Sequence, residues 1–559
     1  MRMIERSNNN RKQGLVRADS LLILLIVIMY LIILGIGLKQ DDAAAGISIR
    51  KATICFCVWF LFSIISRYNS LRVHYFIICV IAVWGGYESL KGLIQIISHN
   101  TYYYGSNSAG SFLNPGPYGG FLACIISVLI PSIYKTKRND KLIIKLYSGL
   151  LLLVIILSVV ILSFTNSRAA VLSLVASMLV FLLRTRKGKL LFKRFCLPLC
   201  IIASIACVWG YYAKKQSADG RVFMDKICMK AIVENNVMGA GLGHFRKAYQ
   251  GSQYNYYKKD ISIKNGIIET GLSEQKDRQK AWEPNSAFNM VLLIGVEMGP
   301  ITMIIFITIV FLTTILLYRR NNELLYGFLT ISIFGMFSYP LVIWQFQLLY
   351  SILIASASYS KELEVSAIKN KNTICMLITI STVLFLCMRN AISTSRSHRE
   401  WIKDRVLLEL KSYDLFAESC SEKEKRLNYI DDFMMEYGYV LSKIGLVEKS
   451  DSVLKVCQSY QSSPGLLILL GENCMNRGDY CAAENYFIDA FVMLPDRIKP
   501  LYELANLYVL KGDTVAALNV INSANNYSFK IESGWTRDYR IKMKTIENRI
   551  TNSILSNQE

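Results

Sequence analysis

The sequence predicts an all-α fold: a polytopic membrane protein of about eleven transmembrane helices, followed by a small α-helical domain outside the cytoplasm. Hydrophobic residues make up 53% of the 559 residues, which is too many for an ordinary soluble protein. The apolar residues gather in runs that are long enough to cross a bilayer and are separated by short basic loops. In the tail, a short pattern recurs at a spacing typical of helical repeat domains.

The formal net charge of +22 is, by itself, compatible with a nucleic-acid partner. The positions of the basic residues argue against that class, because most of them lie in short loops between the apolar runs. Membrane proteins that follow the positive-inside rule show this pattern. We therefore expect membrane lipids as the surroundings and no nucleic-acid partner.

The predicted spans are apolar runs, most of about 15 to 23 residues. The first run has too long an apolar core for a cleaved signal peptide. The eighth is longer than one span needs, and we expect a surface helix joined to a span at Gly299-Pro300. The spans lie at 20–38, 52–66, 73–90, 118–134, 142–164, 169–183, 195–212, 286–317, 324–338, 340–357 and 372–388.

Basic residues set the predicted orientation. The N-terminal segment 1–19 carries Arg2, Arg6, Arg11, Lys12 and Arg17 and is therefore placed in the cytoplasm. The basic loops that fall on the same side are 135–141, 184–194, 318–323 and 360–371. The first outside loop goes against the pattern with Lys39, Arg50 and Lys51. An odd number of spans then places the long loop 213–285 and the tail from residue 389 outside.

The tail contains a repeat. Gly478-Asp479 recurs as Gly512-Asp513, a spacing of 512 − 478 = 34 residues, which is the tetratricopeptide period. Such repeats are helical hairpins, and we expect them to contact mainly one another. The predicted units after the membrane domain (20–388) are a helical linker at 389–432, tetratricopeptide-like repeats at 433–528 and a terminal helix or tail at 529–559. Two roles stay open: a spacer that caps the membrane domain, or a groove for an acceptor or a partner protein.

The stretch "GSFLNPGPYGGFLA" at 110–123 stands at the outer mouth of a predicted span. It is rich in glycine and proline and follows three tyrosines that include Tyr103. A loop with few side chains lets the backbone approach a bulky lipid head group, and prolines reduce the cost of ordering it. Tyr103 could stack on a sugar face. The alternative is an ordinary polar turn.

Two arginines are candidates for binding an anion on the outer face. Arg168 begins a span in "LSFTNSRAAVLSL", and Arg221 opens the long loop. Arg168 could be a snorkelling anchor, although the positive-inside bias disfavours anchors of that sign outside. Arg221 could be a solvated surface charge. The planar guanidinium group suits phosphate oxygens, which favours an anionic partner.

Two common kinds of site are not supported by the sequence. "GAGLG" at 239–243 resembles a dinucleotide fingerprint, but it follows no predicted strand and lies in an outside loop. No metal-ligand spacing and no Asp-x-Asp pair occurs in the sequence. We therefore expect no metal and no other cofactor.

The order of motifs resembles the O-antigen ligase superfamily, which also holds O-antigen polymerases and bacterial protein O-oligosaccharyltransferases. The resemblance covers roughly residues 20–390, and tetratricopeptide tails also occur in this superfamily. The motifs are "F-x-N-P-x-x-Y-x-G" before one span, "SRAA" at the outer end of another, "GR" opening a long loop, "G-x-G" within it, and "N-x-x-L…V-E-x-G" at the next span.

The resemblance implies a GT-C-like enzyme in the bacterial inner membrane. Such an enzyme transfers a glycan from an undecaprenyl diphosphate carrier to a lipid, glycan or protein acceptor on the periplasmic side. Arg168 and Arg221 match the arginines thought to hold the lipid diphosphate. The same motifs make Asn114, Pro115, Tyr118 and Asn289 candidates for substrate binding.

The sequence leaves the identity of the general base open. Ligases of the family usually carry a histidine where this chain has Phe288, just before Asn289. His244 in the long loop could substitute, although a histidine in such a loop is more often structural. Glu297 is the other candidate catalytic residue, because a carboxylate in a membrane segment is costly unless it pairs or functions.

Several functions therefore compete. The favoured one is an O-antigen-type ligase, with a protein O-oligosaccharyltransferase or a polymerase as close alternatives. A transporter of polysaccharide intermediates would be expected to show inverted repeats with broken helices, and no such symmetry is visible. A membrane-anchored scaffold would need only one span.

Overall fold

The computed structural model describes residues 2–40, 42–68, 70–98, 108–136, 142–185, 188–190, 212, 215–270, 275–278, 280–357, 371–530 and 532–556. Over these residues the chain is almost entirely helical, which confirms the predicted all-α membrane fold. Seven of the described helices are long and apolar enough to cross a membrane.

Most helices of the first part of the chain overlap the predicted spans, and three of the described helices lie in the long loop. The helices of this part are Arg2–Gln40, Ala43–Tyr68, Ser70–Ile97, Pro115–Thr136, Leu142–Phe164, Arg168–Arg184, Lys215–Glu234, Phe245–Tyr257, Gln275–Arg278, Met290–Arg319, Leu324–Phe334 and Trp344–Ala355, with a 3₁₀ turn at Pro340–Val342. The predicted span 195–212 lies outside the described residues except for Tyr212. The number eleven therefore stays a prediction.

The helix Met290–Arg319, called the kinked helix below, bends at the predicted junction. Gly299 has a φ of 83° and a ψ of 169°, which is not helical. Pro300 follows and has no N–H group to continue the helical hydrogen bonds. The first two turns of this helix therefore run in a different direction from the rest.

The centre of the membrane bundle is the helix Pro115–Thr136, most of whose residues are buried. It packs against the helices Leu142–Phe164, Arg168–Arg184 and Leu324–Phe334. The hydroxyl groups of three of these helices meet in the core at distances of 2.7 to 3.1 Å, through Ser127, Ser177 and Thr330. Such contacts satisfy polar groups where no water is available.

The long loop contains a β-hairpin that the sequence analysis missed. Strand β1 (Ile261–Lys264) pairs antiparallel with strand β2 (Ile267–Thr270). Asn265 and Gly266 form the turn, with φ values of 46° and 79°. An Asn-Gly pair between β-branched residues is a strong hairpin signal and could have predicted it.

The tail is built from successive helices that pack on one another. Their bounds are Lys371–Asp404, Val406–Glu409, Tyr413–Leu427, Asp431–Lys443, Val447–Tyr460, Pro464–Asn476, Tyr480–Met493, Lys499–Leu510, Thr514–Asn526 and Gly534–Ser556. The repeated Asp479 and Asp513 cap their helices in the same way, each accepting a hydrogen bond from the backbone N–H three residues later. The helix Lys371–Asp404 runs without a break across the predicted boundary at 388/389.

The tail shares a hydrophobic core with the long loop. One buried cluster joins Phe223, Tyr249 and Ile261 of the loop to Phe487 and Phe491 of the tail. Hydrogen bonds cross the same contact, including one from Gln253 Nε2 to the carbonyl of Met493 at 2.8 Å. The repeat helices contact mainly one another, as expected, but part of their surface also packs on the long loop.

Candidate functional site

Arg168 lies at the start of a helix, next to the glycine-rich stretch 110–123. It is the first residue of the helix Arg168–Arg184 and is exposed. The preceding Ser167 donates a hydrogen bond from Oγ to the carbonyl of Gly116 at 3.1 Å. The "SRAA" and "NPGPY" motifs, about fifty residues apart in sequence, are therefore in direct contact.

Asn114 and Pro115 form the start of the helix Pro115–Thr136. Asn114 Oδ1 accepts a hydrogen bond from the N–H of Gly116 at 2.9 Å, and Pro115 is the first helical residue. The other end of the Asn114 amide donates from Nδ2 to the hydroxyl of Tyr339 at 3.1 Å. Both Asn114 and Pro115 are half-buried, so they shape the site and keep part of their surface accessible.

Tyr118, another predicted substrate contact, lies in the protein core. Its side chain is 0% exposed, and its hydroxyl donates to the carbonyl of Glu88 at 2.7 Å. Its neighbour Gly119 touches the turn before Arg168, because an added Cβ would lie 2.6 Å from Thr165 Oγ1. In this part of the motif, the absence of side chains serves close packing between helices. Tyr103 lies outside the described residues.

Arg221 lies in the helix Lys215–Glu234 and contacts Phe288, the residue just before the "N-x-x-L" motif. Its Nη1 donates to the carbonyl of Phe337 at 3.3 Å, and its guanidinium lies 5.1 Å from the ring centre of Phe288. The Phe288 ring meets the Tyr339 ring edge-on at 5.2 Å. Phe288 therefore helps to hold Arg221 through a cation–π contact.

The two predicted arginines come close enough to affect each other. Desolvation and then the positive charge of Arg168 lower the pKa of Arg221. Asp225, four residues later on the same helix, acts in the opposite direction. Contacts thus connect Asn114 through Tyr339 and Phe288 to Arg221, and we call these residues together with Arg168 and Asp225 the arginine site.

Asp225 is a candidate that the sequence analysis did not identify. It is half-buried, and burial raises the pKa of its carboxyl, while Arg221 partly offsets this rise. Within the described part of the chain, its carboxyl group makes no hydrogen bond and no ion pair within 4 Å. A carboxylate in that state beside two arginines is suited to accept a proton.

Asn289 caps the kinked helix. Its Oδ1 accepts hydrogen bonds from the N–H groups of Val291 and Leu292 at 3.0 and 3.3 Å. The structure therefore gives Asn289 a capping role beside the arginine site, and its amide nitrogen stays available for another partner.

Glu297 connects the kinked helix to the glycine loop (residues 239–243). Its side chain accepts hydrogen bonds from the backbone of Gly243 and Phe245, and its own carbonyl accepts from Gly241 at 2.9 Å. Gly239 and Gly299 lie so close that a Cβ added to Gly239 would be 2.5 Å from the Gly299 nitrogen. The "G-x-G" and "V-E-x-G" motifs are therefore two halves of one packing contact.

His244 is also held by neighbouring side chains. Its Nε2 lies 2.8 Å from Asp42 Oδ2, and Gln40 Nε2 lies 3.3 Å from the imidazole nitrogens. Gln40 in turn accepts a hydrogen bond from the N–H of Leu242 at 2.8 Å. His244 is 9% exposed. It holds the glycine loop against Gln40 and Asp42 and makes none of the contacts that define the arginine site.

An apolar cavity of about 550 Å³ lies beside Glu297. Apolar side chains from the first two helices, the kinked helix and the helix Trp344–Ala355 form most of its wall. Its polar end is formed by Lys51, Arg246, Glu297, Asp431 and Gln461, of which the last two belong to the tail. Lys51 interacts electrostatically with Glu297. This interaction gives a reason for a basic residue in the first outside loop, where the positive-inside rule disfavours one.

Arg246 links the parts of the chain at this polar end. It pairs with Glu283 at 2.9 Å and also with Asp431 of the tail. The sequence motifs gave no reason to select it, because both partners are distant in sequence. Neither Arg168 nor Arg221 lines the cavity.

No cluster of three or more His, Cys, Asp or Glu residues that could hold a metal ion occurs in the described ranges. The two arginines and Asp225 are thus the groups at the arginine site that can bind an anion or move a proton. The arrangement can bind a diphosphate group and accept a proton nearby.

The fold and the site define a multi-pass helical membrane protein in which Arg168 and Arg221 lie close enough to interact. Residues 152–307 match the model of the O-antigen ligase family, as the resemblance indicated. The match contains Arg168, Arg221, His244, Asn289 and Glu297. A comparison with curated proteins gives no match. The family supports glycan transfer of the ligase or polymerase type in a bacterial membrane.

Proposed function

We propose that this protein transfers a glycan from an undecaprenyl diphosphate carrier to lipid A-core or a similar acceptor, on the periplasmic side of the inner membrane. The observation that carries the proposal is the approach of Arg168 and Arg221 to each other at the arginine site. Two guanidinium groups in one place repel each other, and a diphosphate bound between them would offset that repulsion.

The chemistry follows from this placement. An acceptor hydroxyl oxygen attacks the anomeric carbon of the glycan while the bond from that carbon to the diphosphate oxygen breaks. Negative charge grows on the leaving diphosphate, where Arg168 and Arg221 stabilise it by charge-assisted hydrogen bonds. This interaction is stronger in the transition state than in the bound substrate, so it lowers the barrier.

Asp225 is the base that the geometry favours. The proton of the acceptor hydroxyl passes to its carboxylate, which lies one helical turn from Arg221. Glu297 is less suited, because backbone groups of Gly243 and Phe245 already occupy its carboxylate. His244 is less suited because Asp42 and Gln40 hold its ring.

The apolar cavity supports a lipid-linked substrate. Its size lies in the range of pockets that bury small molecules, and its wall between membrane helices is mostly apolar. We assign it the hydrocarbon chain of a lipid-linked substrate, with Lys51 and Arg246 at the end that a polar group would reach. Asn285 and Ser286 line the cavity and precede Phe288 of the arginine site by two or three residues, so the cavity begins close to that site.

Two alternatives within the family use the same donor. A protein O-oligosaccharyltransferase would take a hydroxyl of a protein as the acceptor, and a polymerase would take a second lipid-linked glycan. The tail packs on the long loop. This contact favours an acceptor that binds to the tail or passes beside it to reach the site. The orientation with a cytoplasmic N-terminus and a periplasmic tail belongs to the same proposal.

The test is transfer by the purified protein. Lipid-linked glycan is incubated with lipid A-core, with a protein acceptor or with neither, and the product masses separate the three activities. Replacement of Arg168 or Arg221 by Ala should lower the rate by about 10²–10³, because a transition-state donor is lost. Lys should restore part of the rate, since it keeps the charge but loses the planar fork.

Arg497→Ala is the matched control, because Arg497 is an exposed arginine of the tail. It should leave the rate within about twofold of the parent rate. Near-normal transfer by both Arg168→Ala and Arg221→Ala, at equal protein levels, would remove the diphosphate assignment and most of the proposal.

A further inference from the structure

A second pocket lies between the β-hairpin and the tail, and none of its lining residues belongs to the arginine site. Strand β2 forms one wall of this pocket, which has a volume of about 390 Å³. The helix Thr514–Asn526 forms the other wall, with Tyr527 at its end. We call it the amide groove, because the residues that the helix contributes are Asn519, Asn522, Ser523 and Asn526.

Polar contacts hold the two walls of the groove in place. Asn519 Nδ2 donates to the carbonyl of Asn265 at 3.0 Å, and Ser523 Oγ lies 3.4 Å from both Gly266 O and Ile268 N. At Gly266 the hairpin turn lies directly against the backbone of Ala516, where a Cβ would overlap the carbonyl oxygen. The groove is thus part of the fixed contact between loop and tail.

Two carboxamides of the groove remain without a protein partner. Asn522 and Asn526 are exposed, and the side-chain amide of neither makes a hydrogen bond to any residue that the structure describes. They lie four residues apart, so they project from the same face of the helix toward the groove. Thr270 adds a hydroxyl from the opposite wall.

The lining carries no charged side chain. Glu269 belongs to β2 but does not line the groove, and it pairs with Lys264 on the other strand at 3.7 Å. The groove therefore suits neither a phosphate nor a metal ion. A carboxamide offers donors and an acceptor side by side, which matches the neighbouring hydroxyl groups of a sugar.

We propose that the amide groove binds a neutral glycan through the free carboxamides of Asn522 and Asn526. An extended peptide added to β2 is the less suitable occupant, because the backbone N–H of Ile268 on that strand already donates to Ser523 Oγ at 3.4 Å. The inference rests on the proposed function only for the source of the glycan. That source is the glycan of the lipid-linked donor or the glycan of the acceptor.

The experiment measures binding without transfer. Full-length protein in detergent micelles is mixed with neutral oligosaccharides of two to six sugars, and contact is read by saturation-transfer difference NMR. An oligoglucuronate of the same length is the charged comparison, and an extended hexapeptide tests the other occupant. The parent protein should bind the neutral oligosaccharides and bind the other two probes more weakly.

The double variant Asn522→Ala/Asn526→Ala should bind the neutral oligosaccharides at least about tenfold more weakly. Asn525→Ala, on the same helix but outside the groove lining, is the control and should bind like the parent protein. Both substituted side chains are exposed, so the fold should persist, and unchanged thermal unfolding of the variant checks this.

Arg168→Ala should keep full oligosaccharide binding, which separates this inference from the proposed function. Absence of neutral oligosaccharide binding in the parent protein would overturn the inference. Equal binding by the double variant, or a preference for the peptide or the charged probe, would overturn it as well.

Discussion

The position of Asp225 leads to a test at the level of a single residue. Asp225→Asn should lower the transfer rate by about 10²–10⁴, because the base is lost while the shape is kept. The acceptor proton can pass only to the ionised carboxylate, and burial raises the pKa of Asp225. The parent rate should therefore rise with pH as Asp225 loses its proton, and this step should be absent from the pH profile of the variant.

The measurement is kcat/KM between pH 4 and 8, with Asp414→Asn as the control. Asp414 is an exposed acid of the tail and should leave both the rate and the profile unchanged. An Asp225→Asn protein with a normal rate, or with the parent pH profile, would assign proton transfer to another group.

The residues of the arginine site differ in how far the sequence could predict them. The motif order selected Arg168 and Arg221, and the structure brings them together. Asp225 was not predictable, because an acid four residues after an arginine is common on any solvated helix face. Tyr118 looked accessible in a glycine-rich stretch, but a motif does not show which way a side chain points.

The contact between the glycine loop and the kinked helix depends on Gly299. Its φ of 83° is strained for other residues, and a Cβ there would overlap the carbonyl oxygen of Val237. Gly299→Ala should therefore lower the free energy of unfolding by about 1–3 kcal/mol and displace Glu297 from the loop. Thermal unfolding in detergent measures the loss.

Gly149→Ala is the matched control for this element. Gly149 lies in the helix Leu142–Phe164, where nothing lies within 4 Å of an added Cβ. This substitution should be neutral or slightly stabilising, because alanine is the better helix former. A Gly299→Ala protein as stable as Gly149→Ala would show that the contact is not constrained at this position.

The helix Lys499–Leu510 carries a buried acid whose ionisation is costly. Burial, and next the nearby Glu472, raise the pKa of Glu503 to about 7, while Lys499 opposes the rise. The folded tail therefore holds this proton more tightly than the unfolded chain does. The stabilisation from protonation is complete below about pH 4.5 and is lost as the pH rises through about 7.

Glu503→Gln should flatten this dependence and stabilise the tail at pH 8 by about 1–3 kcal/mol. Hydrogen exchange of the helix Lys499–Leu510 at pH 5.5 and pH 8 measures the difference. Glu448→Gln, at an exposed tail position, is the control and should behave like the parent protein. The same pH dependence in the parent and in Glu503→Gln would show that another group causes it.

For the secondary-structure elements, the sequence predicted where helices lie better than it predicted which elements they pack against. Pro300 identified the bend in the kinked helix, because proline acts on its own backbone. The hairpin at Ile261–Thr270 carried a readable Asn-Gly signal that was overlooked. The approach of the glycine loop to Gly299 could not be predicted, because no local pattern states what a glycine makes room for.

The shared core changes what removal of the tail should do to the whole molecule. Truncation after residue 432 would expose Phe223, Tyr249 and Ile261 of the long loop and remove Gln461 from the cavity. The loop should then become sensitive to protease, and transfer should be lost. Limited proteolysis of membranes that hold equal amounts of each protein makes the comparison.

A chain ended after residue 550 is the matched control, because Ile550 is the last buried residue of the shared core. It should resist protease and stay active. If the chain truncated after residue 432 keeps a resistant loop and normal transfer, the tail is a separate module and the shared core has no structural consequence.

The overall class was predictable because apolar runs and basic loops report directly on the bilayer. The 34-residue repeat predicted helical hairpins in the tail, and helices fill that region. The packing of those helices on the long loop was not predictable, since repeat periodicity reflects contacts between neighbours and not the outer surface of the stack.

The unbroken helix Lys371–Asp404 sets the direction in which the tail faces relative to the membrane helices. From residue 388 to residue 404 it continues for 404 − 388 = 16 residues, or about 24 Å. One residue inserted there would turn everything beyond it by about 100° and point the amide-bearing helix away from the hairpin. Insertions of about seven or about eleven residues, close to two or three full turns, restore the facing direction and raise the tail by about 10 or about 17 Å. Relatives that differ in the length of this segment should therefore differ in whole turns.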